Sequence, residues 1–66
     1  MKIKGLVKKE IERLTRNRQT GLVPAWVNEY MDDLVNRAIE IIEINNAVAT
    51  DEVIRRAAFW AIDENF

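Results

Sequence analysis

The 66-residue chain contains no histidine, no cysteine and no serine. These absences remove the common neutral-pH acid/base, the thiolate nucleophile and the serine triad. They also exclude disulfides and zinc sites built on Cys or His, so no oxidising compartment is needed. One proline and two separated glycines, Gly5 and Gly21, leave no phosphate-binding glycine loop. The longest apolar run, Ala57 to Ile62, falls far short of the roughly 20 residues of a membrane-spanning helix. Met1 to Val7 is too short and too polar for a signal peptide. The expected location is therefore cytoplasmic, nucleoid-associated if DNA is bound, with no membrane role. A binding protein without cofactor or metal is expected, and not an enzyme.

What the chain does contain is 48% hydrophobic and 32% charged residues, the composition of a folded helical protein. Residues 1–66 form a single helical domain of 7.7 kDa. A chain this short buries only about 60% of the surface it exposes when unfolded. A homodimer or higher homo-oligomer is the natural way to complete its core.

The net charge of −1 conceals a division along the sequence. Up to Leu22, seven basic residues (Lys2, Lys4, Lys8, Lys9, Arg13, Arg16 and Arg18) face only Glu10 and Glu12, a balance of +5. From Val23 onward three arginines face nine carboxylates, a balance of −6. A concentrated basic segment suits phosphate, because each neutralised phosphate releases counterions. The other reading is mutual attraction between the halves, within one chain or across a dimer.

Apolar spacing predicts three helices. Ile3, Val7, Ile11 and Leu14 give one edge of a helix over about residues 4–18. Its polar face places Lys8 near Glu12 and Glu12 near Arg16 at pairing distance. A loop from Asn17 to Val23 precedes Pro24, a residue suited to a helix start. A long central helix over about 24–45 has an acidic outer face, with Asp33 and Arg37 as one favourable pair. The Asn45-Asn46 pair can end it in the left-handed conformation. Thr50 then caps a third helix over about 51–64, with Asp51 and Glu52 in its first turn. Val53, Ile54, Ala57, Ala58, Phe59, Trp60, Ala61 and Ile62 make that helix apolar nearly all round, which predicts a second chain against it. Leu34, Ala38, Ile41, Ile42, Ile54, Ala58, Phe59 and Trp60 are the expected dimer interface.

A short helix, a long central helix and a short third helix, all-α, resemble the histone fold. The closest likeness is to small prokaryotic histones, carried by Asn36-Arg37-Ala38-Ile39, Asn45-Asn46, Thr50 and the lysine-rich start. The resemblance implies an intertwined homodimer, with Arg16 and Arg18 approaching phosphates beside the partner's second loop and its Thr50. The second loop, Ala47-Val48-Ala49-Thr50, departs from the family's Arg-Lys-Thr, and Arg55 stands about where an aspartate is usual. The expectation is non-specific duplex DNA binding through Lys2, Lys4, Lys8, Lys9, Arg13, Arg16, Arg18 and Thr50. The alternative is a helical protein-interaction or assembly module, antitoxin-like or a complex subunit, without a nucleic-acid role. Glu29, Asp32 and Asp33 read as a solvated acidic face and not as a cation site.

Overall fold

In a computed structural model, residues 3–65 are described, and these form four α-helices without a strand. Helix α1 (Ile3–Thr15) buries Val7 and Ile11, one turn apart, and rests Ile3 and Leu6 on the edge of the core. It ends about three residues earlier than the spacing predicts. The reason is local: the Asn17 side-chain oxygen accepts hydrogen bonds from the Gln19 and Thr20 N–H groups at 2.7 and 3.1 Å. A side chain that satisfies backbone donors in this way favours a turn over helix. Gly21 closes the loop at φ +71°, donating its N–H to the Asn17 carbonyl at 2.8 Å.

The predicted central helix is two helices, α2 (Ala25–Glu29) and α3 (Met31–Ile44). Tyr30 interrupts them at φ −100°, ψ 11°, between the helical and extended regions. Pro24 stands just before α2 at φ −56°, ψ 145°, one position earlier than the first helical residue. Asp32 and Asp33 then fall in the first turn of α3, where their charge favours the helix dipole. The C-terminus of α3 closes as expected from Asn45-Asn46. Asn46 adopts φ +50°, its N–H bonds the Glu43 carbonyl, and the Ala47 N–H bonds the Ile42 carbonyl. That pair of bonds is the Schellman motif, here with asparagine in the position usually held by glycine. Helix α4 (Asp51–Asp63) starts where predicted, with the Thr50 hydroxyl accepting from the Val53 N–H at 3.3 Å.

Helix α1 packs against both α3 and α4, and α3 packs extensively on α4, so the bundle closes on itself. Val27 from α2, Leu34 and Ala38 from α3, and Ile54, Ala58 and Ala61 from α4 meet Val7 and Ile11 in one core. Among the described residues no polar or charged side chain is buried. This placement changes the reading of the dimer positions: Leu34, Ala38, Ile42, Ile54 and Ala58 lie in the chain's own core, and Ile41 is partly covered. They could meet a second chain only if the bundle opened. Two small helices suffice to cover the inner face of α4 because Ala57, Ala58 and Ala61 allow close approach. Phe59 and Trp60 remain outside. No described helix is long and apolar enough to cross a membrane.

Helices α3 and α4 are also tied by charge. Arg37 donates from Nε to Glu64 Oε1 at 2.8 Å and from Nη2 to Oε2 at 2.9 Å, and its third nitrogen bonds Glu40. Asp33, the partner expected from spacing, is not used among these ion pairs. The hydrogen bonds from Arg37 hold the Glu64 carboxyl below its ordinary value, and those to Glu64 and then Glu40 raise Arg37. Since Glu64 titrates lower folded than unfolded, its stabilising effect is full above the ordinary glutamate value of roughly 4.3. It is lost as the pH falls through the lowered folded value. Glu64→Gln is expected to remove this part of the acid dependence. Melting temperatures measured between roughly pH 5 and pH 3 should fall less steeply in the variant; identical slopes would mean that the pair does not form in solution.

Candidate nucleic-acid interface

Helix α1 presents to solvent the face opposite Val7 and Ile11. Lys4, Lys8, Lys9, Arg13 and Arg16 are all exposed there or at the helix end, and Arg18 is exposed on the loop that follows. Lys9, Arg13 and Arg16, at spacings of four and three, share the outermost ridge. From Lys9 to Arg16 this ridge rises about 10 Å, close to the rise of three base pairs in duplex DNA. Lys9, Glu12, Arg13 and Arg16 border a shallow concavity of about 280 Å³. Lys8 lies on the flank, and Lys4, two turns before Ile11 on the same side of the helix, is exposed at the start of α1. The Asn17 turn fixes the path on which Arg18 leaves the helix. Lys2 lies outside the described residues.

Ion pairing on this face differs from the helix-neighbour expectation. Glu12 pairs with neither Lys8 nor Arg16; instead Glu10 accepts from both Nε and Nη2 of Arg13. That hydrogen bonding raises Arg13 above its ordinary value and partly offsets its charge. Among the described residues, Lys4, Lys8, Lys9, Arg16 and Arg18 form no ion pair. Among the described residues no ion pair joins α1 or the first loop to the acidic segment, whose described pairs are Arg37 with Glu40 and Glu64, and Arg56 with Glu52. Attraction between the two halves within one chain therefore leaves these cations unneutralised.

Thr50 does not join this surface in one chain. Arg16 and Arg18 precede α2, whereas Thr50 follows the far end of α3, whose 14 residues span about 20 Å. Its hydroxyl is occupied in capping α4. The acidic residues Glu29, Asp32 and Asp33 do not converge: among the described residues no group of three or more carboxylates is placed to hold a metal ion.

A second feature was not legible in the spacing. Leu14, at the end of α1, meets Arg55, Arg56, Phe59, Trp60 and Asp63 of α4 around an open groove of about 490 Å³. Leu14 reads in the sequence as one more core position, yet it sits at the rim. Only the approach of α1 to the C-terminal half of α4 creates this surface.

The chain matches no protein-family model, and neither curated proteins nor solved structures give a match. What the surface can do is therefore read from its own side chains.

Proposed function

We propose that this all-helical protein binds duplex DNA without sequence preference, as a small homodimer that resembles histones in its basic first helix, through α1 and the loop after it. The observation that carries this reading is the set of exposed, unpaired cations at Lys4, Lys8, Lys9, Arg16 and Arg18. Contact would be with phosphates, since the basic face carries no aromatic side chain to stack on bases. Neutralised phosphates release counterions, so affinity should fall linearly with salt on logarithmic axes, by about 0.9 per phosphate contact.

The test is a titration of duplex DNA at several salt concentrations. Reversing Arg16 and Arg18 to glutamate is expected to weaken binding by roughly tenfold or more and to reduce the salt slope by about 1 for each lost contact. Both side chains are exposed and unpaired, so helical content should not change. Absence of binding at low salt, or an affinity indifferent to the reversal, rules the reading out.

A second reading, a protein-interaction module, is favoured by the exposed Phe59 and Trp60 and the groove beside them. Binding to a protein target that is insensitive to salt and lost in Trp60→Ala would select it.

A further inference from the structure

Phe59 and Trp60 are 60% and 57% exposed, and Leu14 beside them is 37% exposed. Arg56 and Trp60 also border a smaller concavity formed with Ile41, Ala47 and Val53. The uncovered apolar surface thus continues from the α1–α4 groove across α4 toward α3. Adjacent aromatics left in water, rimmed by charge, mark a surface that is covered by something.

The arrangement of charge says what covers it. Arg55, Phe59 and Asp63 recur every four residues and form one ridge of α4, about 12 Å long. The ridge carries a cation at one end, an aromatic ring in the middle and a carboxylate at the other. Among the described residues neither Arg55 nor Asp63 forms an ion pair, whereas the neighbouring Arg56 is held by Glu52. Turned end for end, this ridge is complementary to itself. A two-fold axis through Phe59 sets Arg55 against the partner's Asp63 twice over and packs Phe59 on its own copy, with Trp60 alongside. A parallel pairing would oppose like charges, and a uniformly acidic or basic partner would meet one repulsive end.

We propose that this groove is a homodimer interface in which α4 packs antiparallel on α4 of a second copy, with Arg55 paired to the partner's Asp63. The contact is isologous, as closed two-fold dimers require. It leaves the core of each bundle intact, unlike a clasp through Leu34, Ala38 and Ile42. It rests on the proposed function only for the existence of a second copy.

Sedimentation equilibrium of the full chain should give twice 7.7 kDa. Asp63→Arg and Arg55→Asp should each weaken self-association by roughly tenfold or more, because each places like charges face to face. An equimolar mixture of these two variants restores both opposite-charge contacts and should recover a dimer. Far-UV circular dichroism should be unchanged, since both positions are exposed. The inference is overturned by a wild-type monomer at roughly 1 mM, by variants that associate like the wild type, or by a mixture no more dimeric than its components. The Arg16 and Arg18 reversals separate the two proposals: they should weaken DNA binding by roughly tenfold or more while leaving the dimer mass unchanged. A dimer without DNA binding sinks only the nucleic-acid reading; DNA binding by a monomer sinks this inference and the homodimer of the proposed function, and leaves the phosphate contact of α1 standing.

Discussion

Leu34→Ala is expected to destabilise the protein by about 2–5 kcal/mol. Leu34 is 1% exposed on the inner face of α3, in the core shared by all four helices. Its truncation removes transfer free energy and leaves a cavity that three short helices can only partly collapse. A domain of this length has a total stability of roughly 3–10 kcal/mol, so the loss is a large fraction of the whole. Urea unfolding should show a lower midpoint at an unchanged m-value. A loss below about 1 kcal/mol would place Leu34 at a surface and not in the centre of the bundle. The experiment should be run at several protein concentrations, because a dimer adds stability by mass action.

Ala58→Leu is expected to act in the opposite steric sense, with a cost of about 1–3 kcal/mol. Ala58 is fully buried on α4, and Ala57 and Ala61 on the same inner face are buried with it. Three small residues there let α1 and α3 approach the α4 backbone, and the extra methylenes of leucine have no void to enter. Thermal unfolding checks this directly: a domain of this size loses about 4–8 °C in Tm per kcal/mol. An unchanged or raised Tm would mean that Ala58 faces an unfilled space. The contrast with Phe59 is informative, since truncating an exposed neighbour should leave Tm of the isolated bundle nearly unchanged.

The helices themselves were largely legible in the sequence. Val7 and Ile11 stand one turn apart, Thr50 with Asp51 and Glu52 marks the start of α4, and Asn46 takes the left-handed conformation that closes α3. These are local effects: apolar spacing, a hydroxyl within reach of an N–H, and a side chain tolerant of positive φ. The break at Tyr30 was not legible, because Val27, Met31 and Leu34 keep helical spacing across it and no proline or glycine stands there. The early end of α1 was hidden for a related reason. The Asn17 turn depends on which backbone donors its carboxamide reaches, and apolar spacing does not report that.

The candidate surfaces divide in the same way. Concentration of positive charge in the first 22 residues is a property of the sequence, and so is its location on a helix whose other face is apolar. Whether those cations are spent on carboxylates is a property of the fold. Glu12 stands at the right spacing from Lys8 and Arg16 yet pairs with neither, while Glu10 takes Arg13. Arg37 likewise passes over Asp33 for Glu64, 27 residues away, because α3 and α4 bring the two side chains together.

By itself, then, the sequence determined an all-helical chain, the helix faces that seek a core, the absence of Cys, His and Ser chemistry, and a basic first segment. The tertiary structure decided which apolar residues find that core within one chain. Helix α4 looks apolar all round in one dimension, but a helix can be covered only on the sides where neighbours stand. Helices α1 and α3 cover Ile54, Ala57, Ala58, Ala61 and Ile62, and leave Phe59 and Trp60 facing outward. The covered five recur at i, i+3, i+4, i+7 and i+8, so the stripe itself is a local pattern; that α1 and α3 stand over it, and that neither helix covers Phe59 and Trp60, is set by packing across long sequence separations.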